Sequence, residues 1–142
     1  MAALLEPRKE GTPMLSEFVK SADWAKEKHV PVIDCPETVE AGKPVAVTVS
    51  VGKEIPHPNT PGHFIAWAAL HFVPAGAKMS IELARADFSA HGAGTAEGAE
   101  PAALTAPTMV VVFTPTVPGT LYATAYCNIH GLWESEKPFA LR

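Results

Sequence analysis

The chain has 142 residues, 47% of them hydrophobic and 18% charged, which suits one packed domain and excludes disorder throughout. A net charge of −4 offers no basic footprint for nucleic acid or an anionic membrane surface. The longest apolar run, Phe64 to Leu70, is too short to span a bilayer, and two cysteines, Cys35 and Cys127, make no disulfide scaffold.

In chain order, Met1 to Thr12 reads as a polar lead-in whose early charges do not suit a secretory signal. Leu15, Phe18 and Val19 have helical spacing, so Pro13–Lys20 is expected to form a short helix, with Pro13 tolerated in its first turn. Ser21–Trp24 reads as a capped turn and Glu27-Lys28-His29-Val30-Pro31 as an exposed loop. From Pro44 to Val51 the period changes to two: Val45, Val47, Val49 and Val51 share one face, as in a half-buried strand. Further strands are expected at Phe64–Val73, Ser80–Phe88, Thr108–Thr114, Thr120–Tyr126 and Lys137–Leu141, separated by Pro and Gly turns. Ser89–Pro107, rich in Ala and Gly, reads as a long surface excursion with room for a short helix at Pro101–Leu104. The expected architecture is an all-β antiparallel sandwich over residues 21–142, preceded by an N-terminal extension with a short helix over 1–20.

Three segments carry chemistry. Tyr126-Cys127-Asn128-Ile129-His130-Gly131 sets a thiolate and an imidazole one turn apart just past a strand, near enough to hold one metal ion. His57-Pro58-Asn59-Thr60-Pro61-Gly62-His63 presents two imidazoles on a loop stiffened by two prolines. Glu27-Lys28-His29 flanks an imidazole with an acid and a cation. Each has an ordinary reading as well: an inert buried thiol, turn histidines facing water, a solvated charged triplet. Together they bring four histidines and one cysteine to loops beside strands, more nitrogen and sulfur than a structural zinc site needs. Five such ligands, four of them neutral, suit a square-pyramidal iron with one open position.

Glu27 to Ile33, the run Val51-Gly52-Lys53-Glu54-Ile55 before His57-Pro58-Asn59, and Tyr126 to Glu134 resemble superoxide reductase. The likeness is to the one-iron, neelaredoxin-type branch related to the catalytic domain of desulfoferrodoxin. It runs from about Ser21 to the C-terminus, with the three motifs in family order.

The resemblance implies an immunoglobulin-like sandwich of about seven strands holding one Fe2+/Fe3+ per chain. His29, His57, His63 and His130 would be equatorial ligands and Cys127 the axial thiolate. Glu27 would occupy the sixth position of the oxidised ion, and Lys28 would help draw in superoxide. The implied reaction is one-electron reduction of superoxide to hydrogen peroxide without oxygen evolution. With no Cys-x-x-Cys pair in the chain, a second, rubredoxin-like iron is not expected. Rubredoxin or an equivalent small carrier is the implied electron donor, and a homotetramer the implied assembly. The need for a reduced Cys127 favours the cytoplasm.

Two other readings stand beside this one. A cupredoxin-like electron carrier needs two histidines, a cysteine and a weak axial ligand, often methionine, yet no methionine follows His130. A structural zinc site in a binding module is the third. His71 is expected half-buried on a sheet face in the parity of Ile65 and Trp67, His91 at the mouth of the Ala/Gly segment, and Cys35 as a small buried residue. Trp24, Tyr126 and Trp133 are expected to pack around the site.

Overall fold

Alternating valines and alanines build two sheets whose inner faces make the core of the computed structural model, which describes residues 6–142. The strands are β1 (Pro31–Asp34), β2 (Thr38–Val39), β3 (Val45–Val51), β4 (Ile65–Pro74), β5 (Ile81–Asp87), β6 (Thr108–Phe113), β7 (Gly119–Cys127) and β8 (Gly131–Leu141). One sheet has the order β1-β3-β6 and the other β2-β8-β7-β4-β5. All pairings are antiparallel except the two-residue β2–β8 contact, which is parallel.

The period-two reading holds where it is cleanest. Val47, Val49 and Val51 of β3 are buried beside Met109 and Val111 of β6, while Val110 and Val112 face out. On β7, Leu121, Ala123, Ala125 and Cys127 point inward and are almost wholly buried. The same alternation therefore carries the thiol to the inner face at the strand's end. Phe72, Phe113 and Phe139 pack together at the opposite end, where Gly119 pairs with Phe139. Leu70 and Leu121 are fully buried between the sheets, and truncating either to alanine is expected to cost about 2–5 kcal/mol.

Several expectations change. Two strands, β1 and β2, lie where the sequence predicts none, and β8 begins at Gly131 rather than Lys137. The N-terminal helix shrinks to one 3-10 turn, Leu15–Phe18, with no buried residue to hold it. Lys20 instead pairs with β8: its N–H donates to Leu132 O and its carbonyl accepts from Glu134 N–H. The turn after it centres on Asp23, whose carboxylate accepts from Ala25 N–H. Pro101–Leu104 is not helical; the excursion is closed by a bridge between His91 and Leu104. A bulge in β4 between Ile65 and Trp67 sends Ile65 inward opposite Cys127 and Trp67 outward opposite Tyr126. That extra residue breaks the parity that would have put the two on one face. Met1 to Leu5 of the lead-in lie outside the described residues.

Candidate metal centre

The centre sits at the end of the sandwich away from the phenylalanines. His29 precedes β1, and the Glu27–Pro31 segment expected to be exposed turns inward, with His29, Val30 and Pro31 buried. Val30 and Pro31 are apolar and lead into the core, so burial carries the histidine with them. His57 follows β3 and His63 precedes β4. Cys127 ends β7 and His130 closes the hairpin to β8. That hairpin has a three-residue loop, followed by Gly131 with φ +80°, a left-handed position that glycine takes without a Cβ penalty.

One ligand atom from each of His29, His57, His63 and Cys127 lies within 4.8 Å of the others. Opposite donors on a single ion, at about 2.1 Å for nitrogen and 2.3 Å for sulfur, stand roughly 4.2–4.4 Å apart. His130 is outside that group of four but against it. Its Nδ1 is 3.1 Å from His29 Nε2 and 3.7 Å from Cys127 Sγ. Ring-centroid distances run in a closed circuit: His29–His57 4.9 Å, His57–His63 4.7 Å, His63–His130 5.1 Å, His130–His29 4.6 Å. The His29–His63 diagonal is longer, 6.3 Å. Four imidazoles thus make a square, with the fully buried Cys127 among them.

The outer nitrogens of two rings are held so that the inner ones point at the centre. His29 Nδ1 donates to Glu27 Oε1 at 2.6 Å, and His57 Nδ1 to Pro58 O at 2.6 Å. In a neutral ring this fixes the tautomer and leaves the Nε2 lone pair facing inward. Among the described residues the buried side-chain nitrogens without a partner are His57 Nε2, His63 Nε2 and Trp133 Nε1. The first two are the donors a metal ion would satisfy. Trp133 stacks on His29 at 4.9 Å and 14° and carries the Lys20 ammonium near its ring, 5.6 Å from the centroid.

Burial disfavours a proton on two of the rings, His57 and His63. Burial lowers the pKa of His57 to about 4, with the charges of His29, His63 and Lys28 adding to it against the Pro58 hydrogen bond. Burial, then His130, His29 and Lys28, pushes His63 down as well. The Glu27 carboxyl is held below its ordinary value, chiefly by its hydrogen bond with His29. Lys28 is half-buried and, among the described residues, has no ion-pair partner. The Cys127 sulfur accepts from His130 N–H at 3.4 Å.

Of the predicted residues, His29, His57, His63, Cys127 and His130 come together. Glu27 lies on the outer nitrogen of His29 and is not in the group of inward donors. Trp24 is elsewhere, under Lys53, and Tyr126 stacks on Trp67 on the outer face. His71 is half-buried there, next to Thr124, and Cys35 is a partly buried free thiol.

Sequence reasoning missed Asn128, which laces the segments together. Its Oδ1 accepts from Phe64 N–H, its Nδ2 donates to Gly62 O, and its N–H donates to Phe64 O. The only signal was its place inside the Cys-x-x-His turn.

A family model, desulfoferrodoxin, matches residues 21–136. A superoxide reductase from Pyrococcus horikoshii is 50% identical over 123 residues, 87% of this chain and 96% of that protein. A neelaredoxin from Megalodesulfovibrio gigas is 44% identical over 128 residues, covering 90% and 98%. The structure of a superoxide reductase (neelaredoxin) from Archaeoglobus fulgidus in the reduced form superposes with a TM-score of 0.76. It is 48% identical, over 87% of this chain and 99% of that one.

Proposed function

The chain belongs to the desulfoferrodoxin family, and we propose on that premise that it is a superoxide reductase. Superoxide takes one electron and two protons and leaves as hydrogen peroxide; the electron comes from an external donor. The observation that carries this reading is the square of four imidazoles around a buried thiol, with two inward nitrogens lacking any partner.

The donor set fits iron. Imidazole suits iron, zinc and copper alike, while four imidazoles with one thiolate exceed what a closed tetrahedral zinc site takes. His29, His57 and His63 would hold the ion through Nε2, His130 through Nδ1 and Cys127 through Sγ. When bound, iron supplies a one-electron couple and a coordination position open to a small anion.

The protein's own groups do the rest. Lys28 disfavours a proton on His57 and His63 by its charge, and the same field at the same place attracts an anion. Glu27 accepts the Nδ1 proton of His29 and so keeps that ring aimed inward; to serve an oxidised ion as a further ligand it would have to give up that bond. His130 is exposed at the surface, which leaves the centre accessible to water as the proton source.

The copper-carrier reading is weaker on this geometry, since four imidazoles rather than two line the centre. Among the described residues no methionine joins it: Met14 and Met79 are exposed and Met109 is in the core.

Among the described residues no helix is long and apolar enough to cross a membrane. We assign the protein to the reducing cytoplasm, where Cys127 stays reduced, with a rubredoxin-type carrier as donor and a homotetramer as its assembly.

The test is metal analysis followed by product stoichiometry. One iron per chain, and one peroxide per superoxide without dioxygen, is the expected result. Copper or zinc at full occupancy, or dioxygen released alongside peroxide, overturns the reading.

A further inference from the structure

The excursion after β5 contributes no ligand, yet its buried polar contacts converge on the loop that carries His57 and His63. His91 is only 8% exposed. Its Nδ1 is 2.6 Å from Asn59 Oδ1 and its Nε2 2.6 Å from Phe88 O. Its ring lies flat on Phe64, with centroids 4.0 Å apart and planes at 10°. The orientation of Asn59 is fixed from the other side, because its Nδ2 donates to Thr105 O at 2.9 Å. That leaves Oδ1 to accept from His91. A neutral ring donates to one of its two oxygens and an imidazolium to both.

Thr105 is itself anchored. Its N–H donates to Ala90 O at 2.7 Å, and its hydroxyl accepts from Ala90 N–H at 3.1 Å. A Cβ at Gly92 would stand 2.7 Å from Pro61 Cγ, so the excursion presses on the loop at a second point. An excursion that merely covered the surface would not need these buried polar contacts, each of which costs free energy if left unpaired.

We propose that His91 is a positioning residue for the metal centre, acting through Asn59. The Asn59 clamp fixes the Pro58–Asn59 peptide, whose carbonyl accepts the Nδ1 proton of His57 at 2.6 Å. Holding that carbonyl aims His57 Nε2 at the centre. The clamp stands on its own hydrogen bonds; its consequence for iron rests on the reading of the site given above.

His91→Phe tests this, because it keeps a ring to stack on Phe64 and removes the ring nitrogens that face Asn59 Oδ1 and Phe88 O. Val111→Ala, in the core on β6, is the control for general loss of stability. In His91→Phe, amide exchange of Thr60 and His63 is expected to accelerate, and release of iron to a chelator to speed up about tenfold, the lower end of what loss of an outer hydrogen-bond partner does to metal affinity. The electron-spin resonance of the ferric protein is expected to shift in the same variant and not in Val111→Ala. Loop exchange within about twofold of the parent, or equal acceleration in Val111→Ala, overturns the clamp. A parent protein that holds no iron would refute the metal reading instead, and the exchange result would still decide the clamp.

Discussion

Replacing Gly52 by alanine is expected to damage the centre from a residue outside the ligand set. Gly52 follows β3 with φ +80°, a left-handed conformation that costs a residue with a Cβ about 1–2 kcal/mol. Space is the second cost. The new methyl would lie 2.5 Å from the backbone nitrogen of His57, 3.2 Å from its Cβ and 3.3 Å from Ile55 O. Ordinary contact begins near 3.4 Å, so His57 has to retreat by about 0.9 Å. A misplacement of roughly 1 Å at a reacting centre costs about a hundredfold in rate.

Gly42 provides the control within the same chain. It has φ +76°, and a methyl there would meet nothing within 4 Å, so Gly42→Ala carries the backbone cost alone. Urea unfolding should show both variants destabilised, Gly52→Ala the more. Pulse radiolysis of the iron-loaded proteins should show slower superoxide reduction, by roughly 10- to 100-fold, in Gly52→Ala only. Equal stability losses together with an unchanged rate in Gly52→Ala would refute the reasoning, because the loop would then absorb the methyl without moving His57.

Lys28→Met should slow the bimolecular reaction with superoxide by roughly 3- to 10-fold at low salt and flatten its ionic-strength dependence; an unchanged salt slope removes Lys28 from the approach. Cys127→Ser should abolish the thiolate-to-iron charge-transfer colour of the oxidised protein, and persistence of that band would locate the thiolate elsewhere. His57 titrates near 6.5 when unfolded and at about 4 when folded, so below pH 6.5 the unfolded chain binds the extra proton. Stability of the iron-free protein should therefore fall as pH drops from about 6.5 towards 4 and then level off. Urea midpoints across that range should show a weaker decline in His57→Gln, and parallel curves would show that His57 does not contribute.

The parts of this protein that are legible in the sequence are those written in a short period. Val45 to Val51 alternate, so their inner face can be read directly; Leu121 to Cys127 alternate as well, but Cys127 reads from the sequence as just past the strand, and the structure makes it the strand's last inward residue. The candidate ligand histidines stand out because His57 and His63 share a proline-stiffened loop and His130 follows Cys127 by one turn. What stays hidden depends on distant partners. β1 and β2 are too short to show a period and exist because β3 and β8 pair with them. The facing of Ile65 and Trp67 turns on a single bulge at Ala66. The tie from His91 to Asn59 spans 32 residues, and no local pattern marks it. Glu27 is visible as an acid beside His29, but only the fold shows that its carboxylate lies on the outer side of the ring.

The candidate ligands are divided between the layers. His29 and His57 flank strands of the three-stranded sheet, while Cys127 ends a strand of the five-stranded one and His63 and His130 flank its strands. Neither layer owns a complete set, so the centre exists only once the two have docked. A metal held there is a rivet through the open end of the sandwich, opposite the phenylalanines. Its retention would then report how tightly the two layers are joined: were the sheets to part at that end, the ion would be lost before either sheet.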